Sequence, residues 1–109
     1  MHIDRYISAN RIIDITSNDL VSAYTELLET FSTLLPTTAK KKKVLKELVS
    51  REKSLTSYLG EGVALPHARV PMKRPYALAI GRCPTGLSFQ GKDSYEDVRF
   101  IFLLLANEK

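Results

Sequence analysis

The sequence predicts an α/β sandwich, a mixed β-sheet flanked by helices, and three observations carry that prediction. An apolar stripe at three- and four-residue spacing marks the first third of the chain. A nearly unbroken apolar run, Phe100 to Ala106, closes it. Between them, short apolar stretches alternate with turns built on glycine and proline. At 109 residues the chain reads as one domain over 1–109, a length that buries roughly two thirds of the unfolded surface.

The first helix is predicted from Leu20, Tyr24, Leu27, Leu28, Phe31 and Leu35, with Thr16 and Asp19 forming a capping box and Pro36 ending it. Thr37 or Thr38 caps a second helix whose buried stripe is Val44, Leu45, Leu48 and Val49. Lys40 to Lys43 fall in its first turns, where the helix dipole disfavours cations, and they read as a solvated face. After Arg51-Glu52 the pattern turns polar and glycine-punctuated, so "SLTSYLGEG" is predicted to be loop. Val63–Leu65 is predicted as a short strand, "PMKRP" as loop and "YALAIGRC" as a strand. "PTG" and "QGKD" are predicted turns on either side of "LSF". The run 98–106 has the character of a strand covered on both faces. Two helices do not supply both covers, so the natural domain is expected to continue beyond Lys109, with a covering partner as the other possibility.

Hydrophobic content of 44% and charged content of 26% describe an ordinary globular chain. The formal net charge of +4 equals the four charges of Lys40 to Lys43. That concentration, with no interleaved aromatic residues to stack bases, argues against a nucleic-acid partner. Cys83 is the only cysteine, which excludes an intramolecular disulfide and a thiolate cluster and suits a reducing cytoplasm. It reads as a small packing residue, and Glu61 as an exposed turn residue. The N-terminus lacks a signal-peptide pattern and the apolar run is too short to insert into a bilayer. No set of histidines and spaced carboxylates suggests a metal site.

The stretch "GEGVALPHARVP", residues 60–71, contains the residue best suited to chemistry at neutral pH, His67. A lone histidine beside a strand is more often structural, yet three features set this one apart. Pro66 fixes a backbone angle and removes a donor, aiming the next residue away from a ladder. Gly60 and Gly62 permit close backbone approach. Arg51 and Arg69 place two guanidinium groups within reach of one imidazole. Cations beside an imidazole favour its uncharged form, and arginine forks fit phosphate.

"REKSLTSYLGEGVALPHARVP" resembles the active-site segment of the phosphotransferase-system enzyme IIA domains of the fructose–mannitol type, a group with nitrogen-regulatory and antiporter-associated relatives. The pattern is filled by Arg51-Glu52, Thr56-Ser57, Gly60-Glu61-Gly62, Val63-Ala64-Leu65 and Pro66-His67. A looser resemblance runs from the first helix to Ala106 through Gly86 and Phe89. It implies a mannitol-IIA-like fold with His67 as phosphoacceptor, Arg51 as stabiliser of phosphoryl charge, and Ser57 and Arg69 as phosphoryl-binding residues. Leu59 and Leu65 would form a partner-docking rim, with Val63 assigned to the core. A histidine-containing phosphocarrier protein would be the donor, and a IIB domain or a regulated protein the acceptor. No cofactor or metal is implied, and a homodimer is left open. The Pro-His-Ala-Arg ending leans towards the regulatory branches.

Two departures accompany the resemblance. Relatives usually carry a second active-site histidine beyond the closing strand, and usually threonine where Ser57 stands. A non-phosphorylated regulatory binding module that keeps the fold is therefore the alternative. A hydrolase using His67 as general base lacks a partner nucleophile or carboxylate at suitable spacing.

Overall fold

A computed structural model describes residues 7–90 and 95–108. The order of elements is β1 (Ile12–Asp14), α1 (Leu20–Glu29), α2 (Thr38–Ser54), β2 (Tyr58–Gly60), β3 (Val63–Ala64), β4 (His67–Val70), β5 (Tyr76–Gln90) and β6 (Tyr95–Asn107). Six strands form one mixed, open sheet in the order β1-β5-β6-β3-β2, with β4 also paired to β6. β1 runs parallel to β5, and β3 and β4 run parallel to β6 along one edge. β5 and β6 pair antiparallel over most of their length. The α/β class expected from the sequence is the fold observed. Among the described residues no helix is long and apolar enough to cross a membrane.

Both helices lie on one face of the sheet. Tyr24, Leu27, Leu28, Val44 and Leu48 bury against Ala68, Val70, Ala77, Ala79, Ile101, Leu103 and Leu105. The alanines and Gly81 on β4 and β5 let α1 come close: a Cβ on Gly81 would stand 3.0 Å from Ile15 and 3.2 Å from Leu27. The opposite face carries Leu78, which is buried, and Ile80, Phe100, Phe102 and Leu104, none of which is fully buried; Phe100 is 43% exposed. β6 was expected to be covered on both faces; among the described residues helices cover one. Its continuous apolar sequence conceals two unlike faces because hydropathy cannot report which side a helix occupies.

Other differences are local and have identifiable causes. α1 is capped by Asp19, whose carboxylate accepts from Ser22 N, whereas the Thr16 N–H and hydroxyl both donate to Glu26. The helix ends at Glu29, and Phe31 and Leu35 reach the core from turns instead of a continued helical stripe. α2 begins as expected, with Thr37 accepting from Lys40 N. β1 and β2 form where no strand was predicted, because three-residue strands lack enough alternation to register. The "PTG" turn does not form: β5 passes through it, absorbing the irregularity between Arg82 and Leu87 with Gly86 at φ +82°. The "QGKD" turn falls mostly on residues 91–94, outside the described residues, as does His2. Phe89 lies in β5.

Candidate functional site

The site forms where the last turn of α2 meets the first residue of β4. The chain makes this junction by folding residues 58–64 into a two-residue hairpin between β2 and β3. Glu61 and Gly62 at its tip have φ of +54° and +82°, the left-handed pair that a type I′ turn requires. Gly62 O accepts from both Arg99 N and Phe100 N, which ties the hairpin to β6 through a bulge. The Gly62 N–H donates to the Tyr58 hydroxyl at 2.9 Å. These contacts return the chain to the edge of β6 so that His67 enters the sheet opposite Leu104. Pro66 was expected to turn His67 out of any ladder; instead His67 begins one, and the alternation of β4 leaves its ring exposed while Ala68 is buried.

Arg51, near the end of α2, reaches this ring. Its Nη1 lies 3.5 Å from His67 Nε2, and its Nε donates to Glu47 Oε1 at 3.1 Å, one helical turn back. Both groups open onto a recess of about 510 Å³ lined by Arg51, Glu52, Ser57, Leu59, Leu65 and His67 among others. Leu59 is 67% exposed, and Leu55, which the sequence reading passed over, is 78% exposed on the same recess. The rim is therefore apolar and open, and the centre is polar.

Glu52 organises the centre. Its Oε1 accepts from the Tyr24 hydroxyl at 3.0 Å and the Ser57 hydroxyl at 2.7 Å. Its Oε2 accepts from Thr56 Oγ1 at 2.6 Å and Ser57 N at 2.8 Å. Four donors saturate one carboxylate and fasten the Thr56-Ser57 loop to both helices. Burial holds the Tyr24 phenol well above its ordinary pKa, so it serves as a neutral donor; a hydrogen bond with Ser57 acts in the opposite direction, and the Glu52 charge reinforces the upward shift. In the sequence Glu52 was visible only as part of the Arg-Glu pair, and Tyr24 only as one apolar stripe member. Glu47 could have been found from its i,i+4 relation to Arg51.

Of the residues singled out from the sequence, the fold brings Arg51, Ser57, Leu59, Leu65 and His67 to one recess. Arg69 shares the exposed side of β4 with His67 but is directed elsewhere. Its Nη1 donates to Asn107 O at 3.2 Å, and it lines a second recess with Lys40, Lys43 and Glu47. Val63 is half-buried in the sheet opposite Phe100. Cys83 is buried, and that burial pushes its thiol pKa upward, so it packs and does not ionise readily. Among the described residues no three His, Cys, Asp or Glu side chains gather in a metal-holding group.

Comparison with known families and structures bears on the whole chain. The family model described as "Phosphoenolpyruvate-dependent sugar phosphotransferase system, EIIA 2" matches residues 10–109. The crystal structure of nitrogen regulatory protein IIA-Ntr from Neisseria meningitidis is similar at 25% identity and TM-score 0.81, covering 98% of this chain and 72% of that one. The cryptic mannitol-specific phosphotransferase enzyme IIA CmtB from Escherichia coli is similar at 20% identity and TM-score 0.72, covering 99% and 73%. The Escherichia coli mannitol enzyme IIA, in complex with phosphorylated mannitol enzyme IIB, is similar at 17% identity and TM-score 0.69, covering 94% and 72%. Curated protein sequences give no match.

Proposed function

The chain belongs to the phosphoenolpyruvate-dependent sugar phosphotransferase system EIIA 2 family, and on that premise we propose that it is a cytoplasmic phosphohistidine carrier. His67 takes a phosphoryl group from a histidine-containing phosphocarrier protein. It then passes that group to a IIB domain or holds it as a regulatory signal. The observation that carries this reading is the approach of Arg51 Nη1 to within 3.5 Å of His67 Nε2 at an open, apolar-rimmed recess.

The chemistry is an in-line displacement at phosphorus. The Nε2 lone pair forms the new P–N bond while the donor's P–N bond breaks, its electron pair returning to the donor's ring nitrogen. His67 Nδ1 keeps its proton throughout. Such transfer depends on positioning and on neutralising the equatorial oxygens. Arg51 supplies the positive charge, and its planar fork suits a phosphoryl group better than a lysine would. Ser57 adds a hydroxyl donor once its proton turns from Glu52 to the incoming oxygens, and Arg69 contributes after releasing Asn107 O. Two proteins must bring nucleophile and leaving group together, which an exposed ring with Leu55, Leu59 and Leu65 around it permits.

The similarity to IIA-Ntr favours the regulatory branch, and the mannitol enzyme IIA seen with its IIB domain illustrates the transport alternative. One observation favours a second reading, a binding module that does not carry phosphate: the Ser57 hydroxyl proton is directed at Glu52 and not into the recess. Incubation with phosphoenolpyruvate, the system's first enzyme and the phosphocarrier protein separates the two. The carrier reading requires an acid-labile, base-stable adduct of one phosphoryl group that His67→Ala abolishes. An unmodified chain under conditions that phosphorylate a control IIA domain would establish the binding module.

A further inference from the structure

Arg51 stands as close to the His67 nitrogen as an incoming phosphoryl group would. Reacting atoms in a productive encounter stand about 3–3.5 Å apart, and Arg51 Nη1 already lies 3.5 Å from His67 Nε2. A phosphoryl group arriving at Nε2 therefore meets the guanidinium, whose position depends on what else it is paired with. What holds Arg51 over the ring beforehand is Glu47, whose Oε1 accepts from Arg51 Nε at 3.1 Å. Glu52, the carboxylate that lines the recess itself, is saturated by Tyr24, Thr56 and Ser57, whereas Glu47 lines the neighbouring recess with Arg69. Glu47 is thus the one acid paired with Arg51 among the described residues.

We propose that Glu47 is a positioning residue that acts as a placeholder anion. It keeps Arg51 parked on the His67 nitrogen and yields the guanidinium to a phosphoryl dianion. This rests on the phosphocarrier reading and adds a residue to it. Glu47 lies outside the quoted active-site segment and acts only through Arg51. Its pairing is exposed, with side chains 37% and 46% accessible, so it is weak enough to exchange for a stronger anionic partner.

The test uses inorganic phosphate titrated into the full chain, with binding read from the ring resonances of His67 by NMR. Glu47→Gln, which keeps the length of the side chain and removes its charge, should tighten phosphate binding by about two- to fivefold, the worth of an exposed ion pair. Glu47→Asp, which keeps the charge, should stay nearer the wild type. In an Arg51→Ala background Glu47→Gln should change nothing, because the effect passes through the guanidinium. Equal denaturation midpoints will show that the fold is intact.

Unchanged or weaker phosphate binding in Glu47→Gln, no measurable binding to any variant, or the same gain without Arg51 would each overturn the proposal. The titration needs no phosphocarrier protein. Failure of His67 to accept a phosphoryl group would therefore sink the earlier reading alone, and a flat Glu47 series would sink this one alone.

Discussion

Removing the Glu52 carboxylate tests the centre of the site through its energetics. In Glu52→Ala the Thr56 and Ser57 hydroxyls, on half-buried residues, can turn to water. The Tyr24 hydroxyl cannot reach water, because Tyr24 is 0% exposed, and it exchanges a charged acceptor for the neutral Ser57 hydroxyl beside it. Losing the charged acceptor of a buried donor costs about 1–3 kcal/mol and each of the other lost bonds about 0.5–1 kcal/mol, so the variant should lose about 3.5 kcal/mol. For a chain of this length that lowers the melting temperature by about 14 °C. Tyr24→Phe removes one bond to a charged acceptor that retains three other donors, and should cost about 1.5 kcal/mol. The double variant loses the shared bond once and leaves no buried hydroxyl deprived of its charged acceptor, so it should cost about 3 kcal/mol, about 2 kcal/mol short of the sum. Urea denaturation followed by far-UV circular dichroism on all four proteins measures the cycle. Additive losses, or a Glu52→Ala cost below about 1 kcal/mol, would show that the carboxylate does not tie the two helices to the loop.

The same structure yields further expectations. Arg51→Lys should slow phosphoryl transfer to His67 by about tenfold and Arg51→Ala by about a hundredfold, since charge survives in the first and neither charge nor fork in the second; single-turnover transfer from the phosphorylated carrier measures both, and an equal loss would rule out a role for charge. Gly81→Ala forces a methyl against Ile15 and Leu27 and should cost about 1–3 kcal/mol, read from the urea midpoint; a neutral result would mean α1 is looser than described. The Glu26 carboxyl is pushed up by partial burial but pulled below its ordinary pKa by Ser17 and Thr16, which clamp it from the β1–α1 connection. Its folded pKa is the lower one, so its contribution is complete above the ordinary glutamate value and fades as pH falls through the folded value. Glu26→Gln should therefore flatten the acid limb of the stability curve, and superimposable limbs would contradict the assignment.

Much of the fold was readable because long amphipathic segments announce themselves. α2 starts at the predicted cap, and the buried stripe of α1 contains the predicted tyrosine and leucines. The misses share one cause, which is that the deciding partner is remote in sequence. Thr16 resembles a helix cap until Glu26 takes its donors, and "PTG" resembles a turn until β6 pairs on both sides of it. Strands of three residues, such as β1, exist only because β5 offers an edge.

For the candidate site the division is sharper. Residue types and spacing were enough to single out His67 and Arg51, because a proline-histidine step and a helix-terminal arginine are local features of the chain. Ser57 was marked only by the resemblance to a known family, which rests on local features too. Only the packed structure decided that Arg51 faces Nε2 while Arg69 turns to Asn107, and that Glu52 faces inward to Tyr24 and Ser57. Only packing, again, decided that Glu47 is the acid opposite Arg51. The reason is physical: residue type sets what a side chain can donate or accept, but where it points depends on competition among donors and acceptors brought together by folding.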